Sequence, residues 1–560
     1  MRLLIGLGLT GFALAAPAAG SAQPRRDNLA ARVDSIFAPW DKSNSPGCGV
    51  GITRNGKLVY QRGYGMANLE YGLAITPASI FHVASISKQF TATAIMLLAR
   101  QGRLSLDDEV RKYITELPDY GTRVTIRHLL THTSGLRDQW SLLSLAGWRA
   151  DDVITEDDVL KIVARQRALN FAPGSEYLYS NSGFTLLAII VKRVSGQSLR
   201  AFADSAIFKP LGMTNTHFHD DHSMLVPNRT SAYEFRQGAW HVSIPVFDTY
   251  GATSLFTTVE DLLTWEHNLD QPTVGDRAMF AAMEAPTMLA GGDTSFYGFG
   301  LALQRHRGLW NIGHAGADAG YRADVVRFPG QGLAVTALCN LGSINPSNLT
   351  RQVASAYLAE YLGPPVSSAP SPAVTLPAEQ LAAKTGLYRN PKNDGVRRVA
   401  VREGKLVGIA GLAGVSELTP ISGSRFLTAG GNLTIEFLPV DGPPQELREL
   451  AEGQPPAVFR RVPAWAPTPA ELGALAGDYT SPELMTTWTL VVRDTILVIQ
   501  TPRRGELNLQ PTFVDGFLGT GGVGTVRFFR DAKGAITGLT VNTGRVRSLR
   551  FDRVRSSSTR

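Results

Sequence analysis

The spacing of apolar and polar positions divides this 560-residue chain into two regions of different character. Over residues 27–365, apolar stretches long enough for helices alternate with short strand-like runs. Residues 90–98 and 182–194 are apolar enough to read as buried helices, the second closed by Ser195-Gly196; residues 259–269 and 349–362 read as two more. Residues 50–64 predict a hairpin, because apolar runs flank Arg54-Asn55-Gly56-Lys57 and Asn-Gly suits the tight turn of a twisted ribbon. Residues 321–340 predict two strands around Pro329-Gly330-Gln331-Gly332.

After Gly363 the pattern changes. Residues 363–377 are rich in Pro, Ser and Ala and read as a linker. Beyond them, short alternating runs bounded by Gly and Pro predict antiparallel β structure. This region repeats itself at an offset of 91 residues: Gly386-Leu387-Tyr388 matches Gly477-Asp478-Tyr479, Val401-Arg402 matches Val492-Arg493, and Phe426-Leu427 matches Phe517-Leu518. A register sustained this far implies two copies of one module, at 374–463 and 466–555, joined by the Pro-rich 463–469. Units of that size with regularly spaced short strands close most simply as small barrels. Neither module carries a residue of the motifs described below, so both are expected to be dispensable for chemistry, and a chain ending near Leu362 is expected to fold.

Hydrophobic residues make up 44% of the chain and charged residues 18%, which suits a large packed core and excludes a disordered chain. Residues 1–22 read as an export signal: Arg2, an uncharged apolar run, then Gly20-Ser21-Ala22 as a cleavage site. No other stretch reaches the length of a membrane span, so the mature protein is expected to be periplasmic or secreted. The net charge of +7 is scattered rather than blocked, which gives no reason to expect a nucleic-acid partner. Cys48 and Cys339 are the only cysteines. Export permits a disulfide, but two buried free thiols are the expectation here.

Three motifs carry chemistry. Ser85 and Lys88, in Val83-Ala84-Ser85-Ile86-Ser87-Lys88, open the first buried helix and lie one turn apart on one face. A serine hydroxyl needs an adjacent base to become a nucleophile, and a lysine serves if burial lowers its pKa. The free N–H at the helix start offers one donor for an oxyanion. Tyr179-Ser180-Asn181 precedes the second buried helix and offers a proton relay in Tyr179 and a substrate-orienting amide in Asn181. His314-Ala315-Gly316 lies ahead of the paired strands; Gly316 would allow a substrate close to the backbone, and Ala317 would offer a second N–H.

In this order and spacing, and with Leu129-Leu130-Thr131-His132-Thr133-Ser134-Gly135, residues 30–362 resemble the serine β-lactamase and penicillin-binding-protein family, and within it the group of class C β-lactamases, D-Ala-D-Ala peptidases, D-aminopeptidases and esterases. The resemblance implies an α+β domain, a five-stranded antiparallel sheet flanked by helices beside a helical lobe, here followed by the two barrel-like modules. It implies a catalytic set of Ser85, Lys88, Tyr179 and His314, substrate contacts from Asn181, Gly316 and Ala317, an acyl-Ser85 intermediate, and no metal or organic cofactor. β-Lactamases usually carry Lys-Thr-Gly where this chain has His314-Ala315-Gly316. Without that cation and hydroxyl, the pull on a substrate carboxylate is expected to be weak, and the chain resembles the D-aminopeptidase and esterase branches, D-aminopeptidases also carrying two C-terminal barrels.

The expectation is therefore an exported serine hydrolase of small peptides, amides or esters. The alternatives are a β-lactamase or D,D-carboxypeptidase, and a non-catalytic binder of peptidoglycan fragments. His217-x-His219-Asp220-Asp221-His222 reads as a polar surface loop in preference to a metal site, and Gly519 to Gly524 as a β turn in preference to a nucleotide loop.

Overall fold

The computed structural model describes residues 22–363, 374–410, 414–429, 433–440, 442–451, 455–501 and 503–554; nearly all of the expected leader and most of the linker lie outside them. The first domain is built on a six-stranded antiparallel sheet. Its strands are β1 (Cys48–Arg54), β2 (Lys57–Tyr64), β3 (Ala302–His306), β4 (Leu309–Asp318), β5 (Tyr321–Phe328) and β6 (Leu333–Cys339), in the order β3-β4-β5-β6-β1-β2. The sheet thus has one strand more than the five that the resemblance implies. Strand β3 arises because the turn at Arg307-Gly308, both with positive φ, folds it back onto β4. The β1–β2 turn forms as expected, with Asn55 and Gly56 both left-handed.

Alternation along β1 sends its residues to two different partners. Cys48, Val50 and Ile52 join one core with helices α1 (Ala22–Phe37) and α6 (Pro346–Tyr357). Gly49 and Gly51 face α5 (Val259–Asp270), and a Cβ at Gly51 would sit 2.3 Å from Val259. Glycine there lets the helix lie directly on the sheet. Helix α6 ends at Tyr357, short of the expected Leu362, and a turn follows.

Register corrects the expectation for the cysteines. Cys48 on β1 stands directly opposite Cys339 on β6, with Cα atoms 4.0 Å apart, and the two are disulfide-bonded. Two strand-like runs 291 residues apart in sequence gave no means of seeing that they are neighbours.

The helical lobe beside the sheet centres on α2 (Ser87–Arg100) and α4 (Asn181–Ser195), both buried along most of their length. Gly196, left-handed, ends α4 where the sequence places its close. Helix α3 (Gln139–Leu145) packs nearby. The repeat folds as two closed eight-stranded barrels, the first running from Gly386–Arg389 to Ala457–Val462 and the second from Gly477–Ser481 to Leu549–Arg553.

The barrels are placed unequally: neither carries a residue of the three motifs, as expected, but the second packs against the lobe. The first has its own small core. The apolar interior of the second is continuous with that of the lobe. Trp488 donates its indole N–H to Leu145 O at 3.2 Å, and Arg137 pairs with Glu483 with the two side chains only 2% and 7% exposed. Arg137 also donates to Arg547 O at 3.1 Å. The first barrel reaches the lobe through Lys392 and Glu176 at the surface, and otherwise rests on the second, where Leu387 and Val396 enclose Phe513.

Removing one partner of a buried ion pair leaves an uncompensated charge, which costs about 3–5 kcal/mol. Arg137→Ala is therefore expected to lower thermal stability strongly and to split calorimetric unfolding into separate lobe and barrel transitions. One transition at the wild-type Tm would show that this pair does not hold the second barrel in place.

Candidate active site

Ser85 sits in a single 3-10 turn, Ala84–Ile86, which leads directly into α2. The turn is tightly constrained. Ala84 has φ +48, unusual for a residue with a Cβ. Ser87 donates to Ala84 O and accepts from Leu255 N at 3.0 Å. Strand β4 presses on the turn from the other side: a Cβ at Gly316 would lie 2.2 Å from Val83 O. The close approach that Gly316 permits is thus to the turn's own backbone, whereas the sequence suggested an approach by substrate.

Two N–H groups flank this point. The first donors of a helical turn have no acceptor within it, which leaves that of Ser85. For Ala317 the sheet decides. Cys48 and Cys339 form a close, non-hydrogen-bonded pair; Cys339 therefore bonds across to Arg322, and Arg322 turns its backbone groups away from its partner Ala317. The Ala317 N–H consequently points away from β5, off the edge of the sheet that packs on Ser85.

Lys88 is fully buried one turn along α2. Its Nζ lies 3.1 Å from Ser85 Oγ, 2.9 Å from Asn181 Oδ1 and 2.6 Å from Ala252 O. The rings of Tyr179 and Phe184 cover it at 4.8 and 5.6 Å. Burial pushes its pKa well below the usual lysine range; Asp138 and Asp318 pull it back up, and Arg545 pushes it further down. Tyr179 is half-buried at the cavity wall, and its hydroxyl, itself buried, has no hydrogen-bond partner among the described residues. Burial raises its pKa, and the nearby Ser85 tempers that rise without completing a bond of normal geometry.

Asn181 is the first residue of α4 and lines the cavity, yet its amide is already engaged at both ends. Its Oδ1 accepts from Lys88, while its Nδ2 and backbone N–H donate to Asp138 Oδ2 at 2.7 and 2.8 Å. The other carboxylate oxygen of Asp138 accepts from Trp140 N and Ser141 N and caps α3. Asp138 was not singled out from the sequence, although it lies just three residues past the Leu129 to Gly135 segment.

His314 is 8% exposed, and burial, aided by Lys88, holds its pKa down at about 3. Tyr297 joins it to His132: the Tyr297 hydroxyl lies 3.0 Å from His314 Nε2 and 3.2 Å from His132 Nε2. The hydrogen bonds fix both tautomers. His132 Nδ1 accepts from Ser180 N, so its proton is on Nε2 and goes to Tyr297. Tyr297 then donates to His314 Nε2, and His314 donates from Nδ1 to Ala315 O at 2.6 Å. His314 is thus a neutral, internally satisfied residue at the cavity wall. Tyr297 was missed, and nothing near it in the sequence marks it out.

Ser85, Tyr179, Asn181, His314, Gly316 and Ala317 line a cavity of about 1150 Å³, walled further by Trp140, Trp148 and Phe247 of the first domain and by Arg503, Arg504 and Arg545 of the second barrel. The Arg545 guanidinium lies 4.7 Å over the Tyr179 ring and 3.8 Å from Asp138. The two repeats differ in sequence here: the corresponding segments of the first copy, 411–414 and 451–456, contain no arginine. Elsewhere the His217 to His222 segment divides. His217 and His219 pack against Phe256, and Asp221, His222 and Asp248 bring ligand-type atoms within 4.8 Å of one another; His222 Nδ1 is already 2.9 Å from Asp248. The glycines after Gly519 form a turn between strands.

A family model described as Beta-lactamase matches residues 29–359. A D-aminopeptidase of Brucella ovis is 26% identical over 375 residues, covering 66% of this chain and 70% of that protein. A D-aminopeptidase of Gluconobacter oxydans is 28% identical over 343 residues, covering 60% and 63%. The octameric penicillin-binding protein homologue from Pyrococcus abyssi aligns in structure over 86% of this chain and 99% of its own, with a TM-score of 0.55 and 22% identity. The match over more than half of the sequence, on a domain of this fold, shows that the chain belongs to the beta-lactamase family of serine hydrolases.

Proposed function

We propose that this protein is an exported acyl-serine hydrolase of small peptides, amides or esters, related in activity to the D-aminopeptidases, with Ser85 as nucleophile. The observation that carries the reading is a buried lysine amine 3.1 Å from the Ser85 hydroxyl. Burial favours the neutral amine. A neutral Lys88 has two hydrogens, and two carbonyl-type oxygens, Asn181 Oδ1 and Ala252 O, stand ready to accept them. Its lone pair is then left for the Ser85 proton. Export is supported by the apolar N-terminal run and by the Cys48–Cys339 disulfide.

In this mechanism Ser85 Oγ attacks the substrate carbonyl as Lys88 takes its proton, and the Ser85 and Ala317 N–H groups receive the oxyanion. Burial keeps Tyr179 a phenol, which suits it to hand a proton to the leaving group. Water then enters by the reverse of these transfers and releases the acid. His314 acts by holding the β4 edge in place through Tyr297 and Ala315, because it is neutral and both ring nitrogens are occupied.

A fluorophosphonate probe should add once, at Ser85, by intact mass and peptide mapping, and Ser85→Ala should abolish both the adduct and ester hydrolysis. Labelling that survives Ser85→Ala would sink the assignment.

The pH dependence follows from Lys88. Activity needs the neutral amine, so kcat/KM falls as pH drops through the Lys88 pKa. Asp318 is raised to about 6 by burial, so it is ionised at neutral pH, where it favours charged Lys88. Asp318→Asn removes that influence and should move the acid limb of kcat/KM to lower pH, by up to about one unit. A limb that moves upward would contradict Lys88 as base.

A further inference from the structure

What the second barrel brings to the cavity is positive charge. Arg503 and Arg504 come from the loop between its strands Ile496–Thr501 and Gly505–Pro511, and Arg545 from the loop between Ile536–Asn542 and Leu549–Arg553. With Arg149 and Arg322 of the first domain, five arginines line the cavity, and Asp318 is the one carboxylate among its described lining residues.

Four of the five are committed to the protein. Arg149 donates twice to Asp151, at 2.9 and 2.8 Å. Arg322 donates to Ala319 O and Tyr321 O. Arg503 pairs with Asp152 at 2.6 Å. Arg504 donates to Ser144 Oγ at 2.8 Å and Gly521 O at 2.6 Å. Arg545 differs. Among the described residues its guanidinium makes no hydrogen bond. It rests on the Tyr179 ring, and its nearest carboxylate oxygen, 3.8 Å away on Asp138, already accepts two N–H groups from Asn181. Its main chain is pinned all the same, since Arg545 O accepts from Asp138 N at 3.4 Å and from Asn170 Nδ2 at 3.1 Å. A fixed backbone, a stacked guanidinium and uncommitted donors beside Tyr179 make a ready receptor for a planar anion. A guanidinium meets a carboxylate with two parallel hydrogen bonds.

We propose that Arg545 anchors a carboxylate of the substrate, so that this hydrolase selects amides or esters bearing a carboxylate near the scissile bond. The proposal rests on the reading of Ser85 as nucleophile and names its substrate class. It reverses the expectation drawn from His314-Ala315-Gly316: the cation absent from β4 is provided by another domain. A substrate with a free ammonium at the same place meets repulsion from Arg545, and this favours the ester and amide substrates of the proposed function over aminopeptidase substrates.

The test compares two matched ester pairs at low salt. Para-nitrophenyl hemiglutarate and para-nitrophenyl pentanoate differ by a carboxylate on the acyl side; hippuryl thioglycolate and its methyl ester differ on the leaving-group side. In at least one pair the wild type is expected to have the higher kcat/KM for the charged member. Arg545→Gln should reduce that charged-over-neutral ratio by about 10- to 100-fold, and Arg545→Lys should fall between. A wild-type ratio near one in both pairs, or a ratio unmoved by Arg545→Gln, overturns the anchor. Binding gives a readout separate from turnover. By calorimetry, Ser85→Ala protein should bind glutarate in preference to glutaramide, and the Ser85→Ala/Arg545→Gln double variant should lose that preference. A chain that passes this test without hydrolysing any ester keeps the carboxylate site and loses the hydrolase reading. One that is labelled at Ser85 but shows no preference in rate or binding loses the carboxylate site alone.

Discussion

The arrangement turns on one buried carboxylate. Asp138 accepts four N–H donors, two from the first turn of α3 and two from Asn181 at the first turn of α4. Unsatisfied donors cluster at helix N-termini, and a carboxylate is tolerated in the interior when donors saturate it. By answering two helix starts at once, Asp138 fixes the angle between them and the orientation of the Asn181 amide. That amide in turn sets where Lys88 Nζ comes to rest relative to Ser85. The Asp138 backbone N–H faces Arg545 O, so the same residue also registers the second barrel against the lobe.

Around this anchor, chemistry and selectivity have different physical bases. Burial pushes the groups closest to Ser85 toward neutrality: Lys88, Tyr179, His132, Tyr297 and His314. Their bonds are short-range and directional, and salt does little to them. The charge in the cavity is carried mainly by arginines of the surrounding wall, and charge acts over longer distance on whatever enters. The first domain thus surrounds Ser85 with neutral groups, while the second barrel contributes three of the five arginines that line the cavity.

Elements with a local cause could be read from the sequence. The Asn55-Gly56 turn, helices α2 and α4 with the Gly196 stop, and the paired strands around Gly330 all follow from spacing and backbone preference. The 91-residue repeat announced two like modules, and Ser85, Tyr179, Asn181 and His314 do line one cavity, with Lys88 buried against Ser85. What escaped depends on distant packing. The Cys48–Cys339 bond needs the β1–β6 register. Gly316 looked available to a guest, but the Val83 carbonyl fills that space. For His314 the sequence offered only a place in the catalytic set, and its bond to Tyr297, 17 residues earlier, is visible only in the fold. Arg545 lies in a segment with no catalytic motif, and only the docking of the second barrel brings it to Tyr179.

The duplicated barrel bears on how such a protein changes over generations. The copy that follows the first domain in sequence is not the one that touches the cavity; it serves as a spacer that lets its twin fold back. Once there are two copies, one can stay as it is while the other accumulates substitutions, and in this chain the segments 411–414 and 451–456 of the first copy lack the arginines that the second carries. Because the loops of the second copy hang from a closed barrel, positions such as Arg503 and Arg504 can be rewritten without touching Ser85 or Lys88. New substrate preferences then become reachable through mutations that selection on the chemistry would not penalise.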